Sequence, residues 1–136
     1  LMQFIPSTGQ LYAKRLGIPF GDETALYDPA VSVRLASAYL SDLLKRFGKG
    51  GADSWSVLHM AVAGYNAGET RVEEWKKLLK TGDTAEFIAR IPLLETRNYV
   101  KRVLNSYAQY RALYGGALCA EAAASPREKD AADAER

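Results

Sequence analysis

Between Pro6 and Gly115 apolar side chains return every three or four positions, and no stretch alternates strictly between apolar and polar. That is the period of helices buried on one face, so the pattern predicts an all-α body without a sheet. Punctuation residues divide it. Pro6 suits a first helical turn and Gly17 a helix end, which predicts a helix over 6–16. In YDPAVSVRLASAYLSDLLKRFG, Asp28 reads as an N-cap, Pro29 as the first helical position and Gly48 as the residue past the end. There Val31, Leu35, Tyr39, Leu43 and Phe47 recur every four residues beside Leu40 and Leu44. So broad an apolar face predicts the central helix of the body.

After the flexible GKGGAD loop, Ser54 reads as the cap of a helix carrying Val57, Leu58, Ala61 and Val62, which stops near GYNAG. Thr70 and Glu73 have capping-box spacing, and Val72, Trp75, Leu78 and Leu79 follow on one face. Asp83 with Glu86 repeats the start signal for a short helix that Pro92 breaks. A last long helix carries Tyr99, Val103, Tyr107, Tyr110 and Tyr114 and closes at Gly115 and Gly116. Beyond it, ALCAEAAASPREKDAADAER has almost nothing bulky to bury. This predicts one domain over 1–116 and a disordered or loosely helical tail over 117–136.

Composition removes several classes of function. Eighteen Lys and Arg against sixteen Asp and Glu leave a net charge of +2, too small and too dispersed to signal a nucleic-acid partner. A single cysteine, Cys119, and a single histidine, His59, supply too few soft ligands for a transition-metal site, so no metal and no cofactor is expected. No apolar run approaches the roughly eighteen residues of a membrane span. Trp55, Trp75, His59 and the Tyr107 to Tyr114 stripe are assigned to core or surface packing, because helical spacing predicts packing before binding.

Three stretches depart from plain packing. In LMQFIPST, Gln3 stands among Leu1, Met2, Phe4 and Ile5, either facing outward from a loop or held in a cleft with partners. In AGYNAGETRV, two glycines and Asn66 interrupt a helix and restart it, which a simple helix C-cap also explains. In IPLLETRNYVKRVL, Glu95 suits a first helical turn and Tyr99 a core position.

Together the three stretches resemble, in order and spacing, the motifs of the family 1 soluble lytic transglycosylase domain. LMQFIPST is similar to that family's Gly-Leu-Met-Gln followed by Met-Pro-x-Thr, with Ile5 in place of the methionine. AGYNAG is similar to its Ala-Tyr-Asn-Ala-Gly, and IPLLETRNYVKRVL to its Glu-Thr-Arg-x-Tyr-Val segment. The resemblance runs from Leu1 to about Tyr114 and implies a lysozyme-like helical bundle that acts on peptidoglycan glycan strands in the periplasm or cell envelope. The implied reaction cuts the β-1,4 bond between N-acetylmuramic acid and N-acetylglucosamine without water, leaving a 1,6-anhydro end. Met2 and Gln3 would line the cleft, Tyr65 and Asn66 would contact sugar near the scissile bond, and Glu95 would bind substrate or orient Tyr65. Tyr99 is divided between a cleft role and a core role.

The family's catalytic glutamate, in a Glu-Ser motif, precedes Gly-Leu-Met-Gln. The resemblance therefore implies an acid upstream of Leu1 and no catalytic residue within the chain. On that reading the chain by itself is inactive, with exposed apolar surface around Leu1, Met2 and Phe4 and marginal stability or self-association. Other readings compete: a lysozyme-type hydrolase on the same scaffold, a non-catalytic wall-binding or scaffolding domain, and a helical interaction module unrelated to sugars. The last predicts that Gln3, Tyr65, Asn66 and Glu95 need not converge.

Overall fold

Proline fixes its own backbone torsion and lacks an N–H, so it starts a helix at no cost in hydrogen bonds. Two helices use it. Helix α1 (Pro6–Leu16) begins on Pro6 and ends at Gly17, whose φ of 63° lets its N–H and that of Ile18 return to the Ala13 carbonyl region. Helix α2 (Pro29–Gly48) begins on Pro29 behind Asp28, whose carboxylate accepts from the N–H groups of Ala30 at 2.7 Å and Val31 at 3.2 Å. Between them runs a short 3-10 helix, Glu23–Tyr27, absent from the sequence reading. This computed structural model describes residues 2, 4–49 and 51–124, with backbone alone for 116–124. The described residues are helix and connecting turns, without a strand.

Helix α3 (Ser54–Ala67) is capped by Asp53, not Ser54: the Asp53 carboxylate accepts from Trp55 N–H and Ser56 N–H, each at 3.0 Å. A carboxylate one residue earlier reaches the second and third orphan amides and displaces the serine from that task. Val57 and His59 to Gly64 are buried, so α3 is apolar nearly all round, as a helix enclosed by neighbours must be. It contacts α2, α4 and α5, and is more fully enclosed than α2, the expected central helix. Gly64 permits the close α2–α3 contact. A Cβ there would lie 3.1 Å from Phe47 Cε2 and 3.3 Å from Leu43 Cδ2, the two residues that α2 buries at this seam. Each of those side chains contributes about 1.5 to 3 kcal/mol by leaving water.

Helix α4 (Glu69–Leu79) follows α3 with only Gly68 between. The capping box expected at Thr70 does not form, because the helix has already begun at Glu69 and no side chain caps it. Instead Glu73 faces α2 and pairs with Arg46. Val72 and Trp75 are the buried side chains of α4. Helix α5 (Thr84–Ala89) does use its predicted cap, Asp83 accepting from Glu86 N–H at 2.8 Å, and buries Phe87 and Ile88. Helix α6 (Leu94–Ala124) starts beyond Pro92 with Glu95 in its first turn.

The chain divides into two compact units, one up to Val100 and one from Lys101 onward. Thr96 and Val100 belong to the first and are almost wholly buried, at 2% and 1% exposure. In the second, Tyr107, Tyr110 and Tyr114 are exposed, with the Tyr110 and Tyr114 rings stacked 6.1 Å apart. The helix continues through Gly115 and Gly116 to Ala124 and does not close at the glycines. The remainder of the expected tail lies outside the described residues.

Candidate functional site

The Gly-X-Asn-Ala-Gly stretch ends α3 by geometry that demands glycine. Gly68 has φ 90° and ψ 143°, a region essentially closed to residues with a Cβ, while its N–H still closes on the Gly64 carbonyl at 2.8 Å. The chain thus passes from α3 to α4 within one residue, and Tyr65 and Asn66 stand in the last turn beside that junction.

Tyr65 is fixed at both ends of its ring. Its hydroxyl donates to the Met2 carbonyl at 3.1 Å, a contact across 63 residues of sequence. Its face and edge meet Tyr39 at 5.4 Å and Phe4 at 6.1 Å between centroids. Phe4 also meets Tyr12 and Tyr39 edge-on, so Phe4, Tyr12, Tyr39 and Tyr65 form one aromatic quartet. Such edge-to-face pairs add roughly 0.5 to 1.5 kcal/mol each beyond burial. Phe4 is accordingly half-buried and departs from the exposed apolar start expected around it, whereas Met2 at 36% and Ile5 at 68% exposure agree with it, and Leu1 lies outside the described residues.

Two carboxylates fix the other two hydroxyls of the quartet. Tyr39 donates to Glu69 Oε2 at 3.1 Å and lies 3.5 Å from the Gly64 carbonyl. Arg46 lies 3.7 Å from Glu69 and holds Glu73 in a fork at 2.8 and 3.1 Å. Tyr12 donates to Asp42 Oδ2 at 2.8 Å, and Arg15 pairs with the same carboxylate. Burial, with Asp42 beside it, pushes the Tyr12 phenol up to about 12; burial, with Glu69 beside it, pushes Tyr39 higher still; burial, with Tyr99 nearby, pushes Tyr65 up to about 12. All three phenols stay neutral hydrogen-bond donors at any ordinary pH.

Asn66 is held from α6. The Thr96 hydroxyl donates to its Oδ1 at 2.7 Å. Together Tyr39, Tyr65 and Asn66 wall a cleft of about 240 Å³ that continues along Phe4, Ile5, Thr8 and the Ala67–Gly68 backbone to Arg71. A second recess of about 520 Å³, lined by Tyr12, Tyr39, Asp42, Lys45, Arg46 and Glu69 among others, shares Tyr39 with it.

Of the residues expected at a site, Met2, Tyr65 and Asn66 come together, Met2 through its backbone carbonyl. Tyr99 is half-buried and near enough to Tyr65 to act on its ionisation. Glu95 is exposed, off the cleft lining, one residue from the Thr96 that holds Asn66, and has no hydrogen-bond partner among the described residues. Gln3 lies outside the described residues. Tyr39, Glu69, Thr96 and Arg71 were not anticipated. Tyr39 reads as one more apolar position at a spacing of four, and nothing in that spacing reveals where its hydroxyl goes. Among the described residues no group of three or more His, Cys, Asp or Glu is placed to hold a metal, and no helix is long and apolar enough to cross a membrane.

Residues 1–88 match the family model described as the transglycosylase SLT domain. The chain is 34% identical over 117 residues to the soluble lytic murein transglycosylase of Escherichia coli K12, covering 85% of this chain and 17% of the relative. The Salmonella typhimurium protein of the same name is 33% identical over the same length. A Haemophilus influenzae protein that bears that name provisionally is 35% identical over 106 residues, 76% of this chain and 16% of the relative. The chain therefore spans about a sixth of the length of these curated relatives. No solved structure matches it significantly. With a family model covering more than half of its residues, the chain belongs to the transglycosylase SLT domain family.

Proposed function

We propose that this chain supplies the sugar-binding half of a peptidoglycan lytic transglycosylase site, in the bacterial periplasm or cell envelope where that polymer is. The observation that carries the reading is the convergence of Tyr65 and Asn66 on one cleft, each locked by a hydrogen bond from outside it. The Tyr65 ring offers an apolar face to a pyranose, and the Asn66 amide offers donors to an acetamido carbonyl or a hydroxyl. Gln3 and the Met2 side chain would extend that wall. Glu95, exposed beside Thr96 and off the lining of the cleft, would accept only from glycan that extends past it, and Tyr99 lies near enough to Tyr65 to influence it.

The reaction needs a single acid, which no residue of this chain matches by motif. A glutamic acid kept neutral by apolar surroundings would protonate the leaving oxygen while the substrate's acetamido group assists the oxocarbenium-like centre. The resulting carboxylate would then take the proton of the muramic acid 6-hydroxyl as that oxygen closes on C1. The cleft's part is to hold the muramic ring so that the 6-hydroxyl reaches C1 ahead of water.

The test is mass spectrometry of muropeptides released from purified cell wall by the full natural polypeptide that carries this chain and by its Tyr65→Ala variant. Anhydromuramic ends, strongly reduced in the variant, are expected. Reducing ends would make the protein a hydrolase, and no release would leave a wall-binding domain.

A further inference from the structure

The cleft at Tyr65 has one charged wall. Among the described residues that line it, Arg71 alone is ionic; the rest are aromatic, aliphatic or neutral polar groups such as Tyr39, Tyr65 and Asn66. A neutral sugar needs no such group.

An arginine on an exposed helix is ordinarily neutralised by acids three or four positions away. On α4 the carboxylates are committed elsewhere. Glu73 is forked by Arg46, and Glu69 accepts from Tyr39 and lies beside the same guanidinium, so both face α2. Glu74, three positions after Arg71, forms no ion pair with it, and Arg71 has no partner among the described residues. The first turns of α4 therefore separate charge: Glu69 lines the 520 Å³ recess and Glu73 pairs with Arg46, while Arg71, unpartnered among the described residues, lines the 240 Å³ cleft.

We propose that Arg71 is an anion subsite of this cleft, taking a carboxylate carried on the lactyl arm of the muramic acid residue. The inference rests on the glycan reading above and deepens it: Arg71 selects the acidic sugar of the polymer over the neutral one. The carboxylate is either the lactyl group's own, free where no peptide is attached, or one on the attached peptide. A guanidinium suits both because its planar fork donates two parallel hydrogen bonds to a carboxylate.

The experiment is an NMR titration of the full natural polypeptide with three uncleavable probes: N-acetylglucosaminyl-1,6-anhydro-N-acetylmuramic acid without peptide, the same disaccharide bearing its peptide, and chitobiose. Wild type, Arg71→Gln and Arg71→Lys are compared, with helical circular dichroism as the check on folding. Arg71→Gln should bind an acidic probe roughly tenfold more weakly and leave chitobiose at the wild-type level. Arg71→Lys, which keeps the charge and loses the planar fork, should fall between wild type and Arg71→Gln on the acidic probes, and raised salt should shrink the difference. Loss on the peptide-free sugar alone assigns the lactyl carboxylate; loss on the peptide-bearing sugar alone assigns the peptide. Equal loss on all three probes, or loss on none while wild type binds, overturns the subsite and leaves the glycan reading standing. Failure of wild type to bind any probe overturns both.

Discussion

The Thr96 hydroxyl donates to Asn66 Oδ1 at 2.7 Å, so the start of α6 decides which way the Asn66 amide faces. Its carbonyl half is taken, and the Nδ2 hydrogens are the half without a partner among the described residues. Thr96→Val keeps the shape and removes the donor at a position only 2% exposed. It should cost about 1 to 2 kcal/mol in urea denaturation and weaken chitooligosaccharide binding, while Thr96→Ser retains binding. A valine variant with unchanged midpoint and affinity would show that the bond does neither job.

Gly64 allows α3 to lie against α2. An alanine Cβ would press on Phe47 at 3.1 Å and Leu43 at 3.3 Å, both fixed in the core. Gly64→Ala should therefore destabilise by about 1 to 3 kcal/mol despite alanine's better helix propensity. A variant more stable than wild type in thermal melts would mean that the ring and the leucine move aside freely.

Acid should loosen α3 at its start. Hydrogen bonds from the Ser56 hydroxyl, then from the Ser56 and Trp55 N–H groups, hold the Asp53 carboxyl below its ordinary value. A depressed folded-state value gives stability that is full above the unfolded value near 4 and is lost as pH falls through the folded one. The melting temperature should drop below about pH 4, and Asp53→Asn, which keeps a cap oxygen, should drop less steeply. Identical acid slopes for the two proteins would remove Asp53 from the account.

At the other end of the scale the sign is reversed. Tyr12 and Tyr65 are raised to about 12 and Tyr39 further, so the unfolded chain releases these protons first. Their contribution is complete below about pH 10 and is lost as pH rises through the folded values. In an alkaline titration followed at once by tyrosinate absorbance and helical circular dichroism, part of the absorbance should appear only as helicity disappears. Ionisation of all eight tyrosines before any loss of helix would contradict this.

The helices were legible where one local signal decided them: Pro6 and Gly17 for α1, Asp28 and Pro29 for α2, Asp83 for α5. Reading erred where two residues competed for one task. Asp53 outreaches Ser54, and α4 starts behind Gly68, two residues too early for Thr70 to cap it. Gly115 and Gly116 were read as a stop, yet glycine only makes a stop permissible, and the helix runs through both. Tyr65 and Asn66, which the AGYNAG motif singled out at an interrupted helix that a plain C-cap would also explain, do line one cleft. Tyr39, Glu69 and Thr96 were missed because their partners lie about thirty positions away and nothing local betrays them.

Tyr39 is the single residue common to the 240 Å³ cleft and the 520 Å³ recess. One side chain thus borders both, held by its hydrogen bond to Glu69. The two differ in charge: Arg71 lines the cleft, while Lys45 and Arg46 line the recess together with Asp42 and Glu69. A single substitution at Tyr39 therefore alters the borders of both at once.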